Sequence, residues 1–134
     1  TQLIHVYIQA LFYNASQRFL DSGQAPLDVA QIISEYIRTN YRQQLNLDTL
    51  AKLVSVSPSY LIRTFHNDLN TTPMQYLSEV RITMAKALFQ SSSASVSEIA
   101  ERVGYTDTSY FWRVFKKKTG CAPSEYRKSI ALPT

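Results

Sequence analysis

Glycine, proline and cysteine are scarce in this 134-residue sequence, with three, five and one copies respectively. Folds rich in β-strands need many tight turns, so the scarcity of turn residues argues against such folds and also against disorder. The single cysteine, Cys121, excludes an internal disulfide framework and a zinc site built from several cysteines. Because His5 and His66 suggest no pairing with Cys121, we interpret its thiol as structural or incidental.

The sequence also lacks an apolar run of the roughly 20 residues needed to span a bilayer, and it shows no signal peptide. We therefore expect a cytoplasmic protein without a membrane partner. Since the sequence starts at Thr1 rather than at methionine, we expect a fragment of a longer protein whose N-terminal domain is missing here.

The composition that is present suits a globular domain. Apolar residues make up 45% of the sequence, which is enough for a hydrophobic core. The formal net charge of +4 suits a polyanionic partner, although many proteins are this basic.

The apolar pattern predicts an N-terminal amphipathic helix over residues 2–20, followed by a break at residues 22–26. We interpret residues 1–26 as this helix and a linker to the missing domain. The helix is open to three readings: a connector, a dimerisation helix, or a helix folded back onto the core.

Residues 27–134 have helical patterns almost throughout and predict an all-α domain. We divide it into a first helix-turn-helix subdomain (27–72), a linker helix (73–90) and a second helix-turn-helix subdomain (91–134). The predicted helices cover residues 28–41, 47–54, 58–70, 73–90, 97–103 and 108–119, and a last one opens at Pro123. In the linker helix we expect these side chains to point inward: Tyr76, Leu77, Val80, Met84, Ala87 and Leu88.

An internal repeat at an offset of 49 to 50 residues is the decisive feature of the sequence. In the first copy the matching residues are Leu50-Ala51, Val54, Val56, Tyr60-Leu61, Arg63, Phe65, Pro73 and Tyr76. In the second they are Ile99-Ala100, Val103, Tyr105, Tyr110-Phe111, Arg113, Phe115, Pro123 and Tyr126. Both copies predict a short helix, a tight turn and a longer helix, which is the order of a helix-turn-helix.

The turn between the two helices needs a residue that tolerates positive φ. Gly104 supplies it in the second copy, whereas Ser55 stands there in the first. A small residue on the first helix, Ala51 or Ala100, lets the second helix approach closely.

Arg63 and Arg113 each lie two residues from an apolar sealing position, so we predict that they point away from the core. On a recognition helix that face meets the major groove, where arginine can pair with guanine. Neighbouring candidates for DNA contact are Ser57, Ser59 and Ile62 in the first copy and Thr108, Ser109 and Trp112 in the second. The alternatives are a plain helical bundle and, for Trp112, packing against another domain.

Three lysines, Lys116 to Lys118, follow Arg113 on the same predicted helix. Such runs are usually solvated faces, but here phosphate contact is plausible for one or two of them, and we assign it to Lys116 and Lys117.

The second copy reads Ile99-Ala100-x-x-Val103-Gly104-Tyr105-x-Asp107-x-Ser109-Tyr110-Phe111-x-Arg113-x-Phe115-Lys116, then Gly120, Pro123 and Tyr126-Arg127. With the first copy, and with Arg81-x-x-x-Ala85, this resembles the AraC family of bacterial transcription regulators over residues 29–128. The resemblance implies two helix-turn-helix subdomains joined by one long helix. It also implies recognition helices in successive major-groove segments on one face of DNA, about 34 Å apart. Asn70 stands where the family usually has glycine, but asparagine tolerates the left-handed conformation.

We therefore predict sequence-specific binding to double-stranded DNA and regulation of bacterial transcription, without catalysis, cofactor or metal. Expected protein partners are RNA polymerase and a second copy of the chain, paired through the N-terminal helix or the missing domain. The alternative is a degenerate module that binds another regulator or the polymerase, for which exposed Ile62 and Trp112 leave room. An enzyme is the third class, and no phosphate loop or nucleophile–base arrangement supports it.

Overall fold

The computed structural model describes residues 28–130, and this part of the chain forms seven α-helices and no strand. In chain order they are α1 Val29–Asn40, α2 Leu47–Leu53, α3 Pro58–Leu69, α4 Pro73–Ser91, α5 Val96–Arg102, α6 Thr108–Thr119 and α7 Pro123–Ile130. The all-α prediction is therefore confirmed. The helix predicted over residues 2–20, and all of residues 1–26, lie outside the described residues.

The described chain forms two compact units. The first contains residues 28–40 and 45–76, with α1 and α2 both packed on α3. The second contains residues 41–44 and 77–130, with α5 and α7 both packed on α6. The long helix α4 belongs to the first unit through Tyr76 and to the second from Leu77 onward.

Side-chain caps begin several of the helices where the sequence indicates. Asp28 accepts the backbone N–H of Gln31 at 3.0 Å, and Ser57 is followed by proline at the start of α3. Helix α5 begins one residue earlier than predicted, because Ser95 rather than a later serine caps it. Ser95 and Glu98 form a reciprocal capping box, in which each side chain accepts the other residue's backbone N–H.

Both helix-turn-helix turns are Schellman motifs with a left-handed residue in the same place. In the first unit Val56 N–H donates to Ala51 O and Ser55 N–H to Lys52 O. In the second unit Tyr105 N–H donates to Ala100 O and Gly104 N–H to Glu101 O. Ser55 has a φ of 57° and Gly104 a φ of 106°, as the repeat predicts.

The longer helix of each copy also ends in a left-handed residue, Asn70 (φ 58°) in α3 and Gly120 (φ 88°) in α6. Their N–H groups donate to His66 O and Lys116 O, both at 2.8 Å. The asparagine therefore preserves the cap expected from glycine.

The predicted sealing residues form the two cores. In the first unit Leu50, Leu61 and Phe65 are fully buried, and so are Ile33 and Ile37 of α1. The second unit buries Ile99, Val103, Phe111 and Phe115 in the same way. The small residues Ala51 and Ala100 are almost completely buried, which permits the close approach of the second helix.

The repeated Pro-x-x-Tyr sequence closes each core over the second helix of its motif. The Tyr76 ring packs edge-on against Phe65 with centroids 5.7 Å apart, and Tyr126 packs against Phe115 at 5.4 Å. The tyrosine hydroxyls remain accessible to polar partners, since Arg38 donates to Tyr76 and Gln90 to Tyr126.

The buried face of α4 was only partly predicted by the helical pattern. Leu77 is buried as predicted, but Ala87 is exposed, and the other four side chains expected inward are only half-buried. The buried stripe continues instead through Arg81, Ile82, Ala85 and Phe89. Because this stripe includes the charged residue Arg81, a pattern based on apolar side chains does not predict it.

Candidate nucleic-acid interface

The N-terminal ends of α3 and α6 are fixed by side-chain caps. The Ser57 hydroxyl accepts the N–H of Tyr60 at 3.1 Å. The Asp107 carboxylate accepts the N–H groups of Ser109 and Tyr110 at 2.9 and 3.3 Å. Ser57 is exposed, but it serves the backbone as a cap, so its DNA contact remains a prediction.

The exposed face of α3 consists of residues spaced three and four apart, which lie on one side of a helix. Its members are Ser59, Ile62, Arg63, His66 and Asn67, all exposed. The first three are among the contact residues predicted from the sequence, whereas His66 and Asn67 are not. They lie 50 residues before Lys116 and Lys117, so applying the repeat to these two lysines would have identified them.

The exposed face of α6 has the same register, 50 residues later. Its members are Ser109, Trp112, Arg113, Lys116 and Lys117, all exposed. Thr108 is half-buried beside this face, with its hydroxyl oxygen 3.3 Å from that of Ser97. A surface depression brings together Thr108, Ser109, Trp112 and Arg113, so four predicted site residues share one place.

The two faces differ in charge and in apolar character. Helix α3 carries Arg63 and one acid, Asp68, besides His66, whereas α6 carries Arg113 and three lysines without an acid. Ile62 and Trp112, at equivalent positions, are each 39% exposed. The ammonium group of Lys116 lies 5.3 Å from the centroid of the Trp112 ring, which keeps it on this face.

Arg81 is a buried structural residue, a role that its place in the sequence pattern did not predict. Only 8% of it is exposed, and its guanidinium donates to Tyr41 O and Gln43 O, each at 2.8 Å. It also lies 5.1 Å from the centroid of the Tyr105 ring. Burial lowers the pKa of Arg81, and the nearby Tyr105 hydroxyl opposes this shift. Arg81 thus holds the segment 41–44 in the second unit instead of facing a ligand.

Two features were searched for in the described part of the chain and not found: a cluster of metal-binding side chains and a membrane-spanning helix. Within residues 28–130, no three side chains of histidine, cysteine, aspartate or glutamate group together to hold a metal ion. No helix in the same range combines the length and apolar character needed to cross a bilayer.

The repeated arrangement of short helix, Schellman turn and longer helix with an exposed arginine defines a helix-turn-helix DNA-binding domain. A family model described as "Helix-turn-helix domain" matches residues 50–129, more than half of the chain. The chain belongs to this family, of the AraC type.

Curated relatives and solved structures agree with this assignment. The raffinose operon transcriptional regulatory protein RafR of Pediococcus pentosaceus is 37% identical over 97 residues, which are 72% of this chain and 35% of that protein. The C-terminal domain of AraT, a response regulator from Geobacillus stearothermophilus, is 33% identical with a TM-score of 0.75, covering 78% of this chain and 88% of that one.

The DNA-binding domain of the global transcriptional factor AdpA, solved in complex with a target DNA, is 25% identical with a TM-score of 0.73. The match covers 77% of this chain and 93% of that one. This chain spans less than two thirds of the length of the first curated relatives, from 31% to 61%.

Proposed function

We propose that this chain binds double-stranded DNA through the exposed faces of α3 and α6 and so regulates transcription in a bacterium. The observation that carries the proposal is the equivalent placement of Arg63 and Arg113, each exposed on the second helix of a helix-turn-helix. An arginine in this place reaches the O6 and N7 atoms of guanine in the major groove. The exposed serines, His66 and Asn67 add hydrogen-bonding groups for bases or phosphates.

The two faces have different roles in this proposal. The four cations of α6 supply most of the attraction to phosphate, since α3 has one arginine and a neighbouring acid. Ile62 and Trp112 supply apolar contacts, for which the C5-methyl group of thymine is the natural target. The alternative of a protein-interaction module is not favoured, because the apolar residues lie among cations and a relative is solved with DNA.

The experiment begins with selection of bound DNA from a random pool, followed by titration of the selected duplex and a scrambled one. Arg63→Ala and Arg113→Ala should each weaken binding to the selected duplex by about 1–3 kcal/mol. Arg38→Ala and Arg102→Ala are matched controls, because each removes one exposed positive charge outside α3 and α6. If the two test variants bound the selected duplex as tightly as the controls do, the assignment of these arginines would be wrong.

The remaining roles are proposals of the same kind. We propose that the DNA-bound protein contacts RNA polymerase, and that the protein dimerises through residues 1–26 or a domain preceding them. We further propose a cytoplasmic location, where bacterial DNA lies, and no enzymatic activity, because the relatives are mostly transcription regulators; one of them, AdaA of Bacillus subtilis, is also a DNA repair enzyme. Sedimentation of the 134-residue chain with and without residues 1–26 tests the dimer, and a supershift with purified polymerase tests the other contact.

A further inference from the structure

An exposed tyrosine precedes each of the two exposed arginines by three residues. Tyr60 is 41% exposed and Tyr110 is 51% exposed. The guanidinium carbon of Arg63 lies 5.8 Å from the centroid of the Tyr60 ring, and that of Arg113 lies 5.8 Å from that of Tyr110. The two units thus repeat one geometry although the neighbouring residues, Ile62 and Trp112, differ.

The distance is within the range in which an aromatic ring attracts a cation. Arginine has several rotatable bonds and loses much freedom when it is fixed on a base. A ring that already holds the guanidinium in the free protein reduces the ordering that binding requires, and so raises affinity without touching DNA.

The backbone at the start of each helix holds the tyrosine in turn. The N–H of Tyr60 is bonded to the Ser57 cap and that of Tyr110 to the Asp107 cap. The Tyr110 ring also packs against the buried ring of Tyr105, with centroids 5.9 Å apart. Each arginine therefore rests on a residue whose own position is fixed by the first turn of the recognition helix.

We propose that Tyr60 and Tyr110 are positioning residues, which hold Arg63 and Arg113 ready for the guanine edge. The inference rests on the proposed function, because it presupposes that these arginines read bases. The ring rather than the hydroxyl acts, so phenylalanine can replace tyrosine and an aliphatic residue cannot.

The test uses the full chain, the selected duplex and the variants Tyr60→Phe, Tyr60→Leu, Tyr110→Phe and Tyr110→Leu. Each leucine variant should lower affinity for the selected duplex about two- to fivefold, while phenylalanine retains the parent affinity. Binding to the scrambled duplex should not change. The Hδ protons of the arginine should show an upfield ring-current shift in the free parent and phenylalanine variants, and lose it in the leucine variants.

A double-mutant cycle separates positioning from other roles. In an Arg63→Ala background, Tyr60→Leu should have no further effect on affinity, and likewise for Tyr110→Leu with Arg113→Ala. A merely structural role would weaken binding in both backgrounds and lower the thermal midpoint. Because Tyr110 also contacts Tyr105, the Tyr60 pair gives the cleaner result if Tyr110→Leu impairs folding.

Two results would overturn the inference while leaving the proposed function intact: unchanged affinity in both leucine variants, or an equal loss with phenylalanine and leucine, which would indicate a direct hydroxyl contact. If Arg63→Ala and Arg113→Ala themselves had no effect, the assignment of these arginines in the proposed function would fail first. The outcomes are therefore distinguishable.

Discussion

Replacing Gly104 by alanine tests the tightest part of the second helix-turn-helix. Gly104 follows α5 with a φ of 106°, a conformation that residues with a Cβ rarely adopt. A Cβ at this position would lie 2.7 Å from Tyr41 O and 2.9 Å from Arg81 Nε. Arg81 Nε donates a hydrogen bond of 2.8 Å to Tyr41 O, so neither atom can move away without breaking this buried hydrogen bond.

The expected loss of stability has two parts. Backbone strain at such a φ costs about 1–3 kcal/mol. Inserting a methyl group into a packed site costs about 1–3 kcal/mol more. This second cost applies here because the nearest atom, Tyr41 O, belongs to the backbone and cannot rotate away as a side chain can. We therefore expect Gly104→Ala to lower the free energy of unfolding by about 2–6 kcal/mol.

The matched control is Ser55→Ala at the equivalent place in the first unit. Ser55 already carries a Cβ at a φ of 57° and is exposed, so alanine should change stability by less than about 0.5 kcal/mol. Urea unfolding followed by far-UV circular dichroism measures both variants. The fluorescence of Trp112, the one tryptophan of the sequence, reports separately on the second unit.

The reasoning would be refuted if Gly104→Ala unfolded at the same urea concentration as the parent with an unchanged slope. That result would mean that the carbonyl of Tyr41 does not approach the turn as closely as described. An equal destabilisation by Ser55→Ala would also refute it, because that substitution adds neither a Cβ at a positive φ nor a close contact.

Three further predictions concern charge and burial. A lysine that contacts phosphate steepens the dependence of log affinity on log salt. Replacing Lys116 or Lys117 by alanine should therefore reduce the magnitude of this slope by about 1 for each lysine that makes such a contact. Lys52→Ala is the control and should leave the slope unchanged, because Lys52 lies outside both recognition helices. Arg81→Ala should lower the free energy of unfolding by about 2–5 kcal/mol, because Tyr41 O and Gln43 O lose their donor, and Arg81→Lys should recover only part of this in urea unfolding. Hydrogen bonds, first from the Ser95 backbone and then from its side chain, lower the pKa of Glu98 from its ordinary 4.5. The stabilisation by Glu98 is therefore present above pH 4.5 and lost as the pH falls through its lower folded pKa. A ¹³C titration of the carboxyl should show the lowered midpoint, and Ser95→Ala should move it partly back.

Many helix boundaries of this fold follow from residues that lie close to them in the sequence. Proline after Ser57, Asp107 before α6, and Gly120 after it act within one turn of the helix they begin or end. Such signals need no knowledge of distant residues, which is why most predicted helix boundaries agree with the structure to within one or two positions. The repeat also predicted that the two motifs have the same structure, because equivalent sealing positions recur at a nearly constant offset.

The candidate interface was partly predictable for the same reason. Arg63 and Arg113 are exposed because each lies two residues from a buried phenylalanine, and helical geometry then turns it outward. His66 and Asn67 share that face, but neither is a lysine, the residue type that marked Lys116 and Lys117 at the equivalent positions of the second copy. The contact of each arginine with the tyrosine three residues earlier depends on side-chain rotamers, which spacing alone does not determine.

Sequence alone determined the helices, their caps and the twofold repetition of a helix-turn-helix, since all of these follow from local propensity and periodicity. Only the tertiary structure decided that Arg81 is buried and that Gly104 admits no side chain. Both facts arise where Tyr41 meets residues 40 and more positions later in the chain. Packing brings a backbone carbonyl, a guanidinium and a turn to one place, and no local pattern encodes that approach.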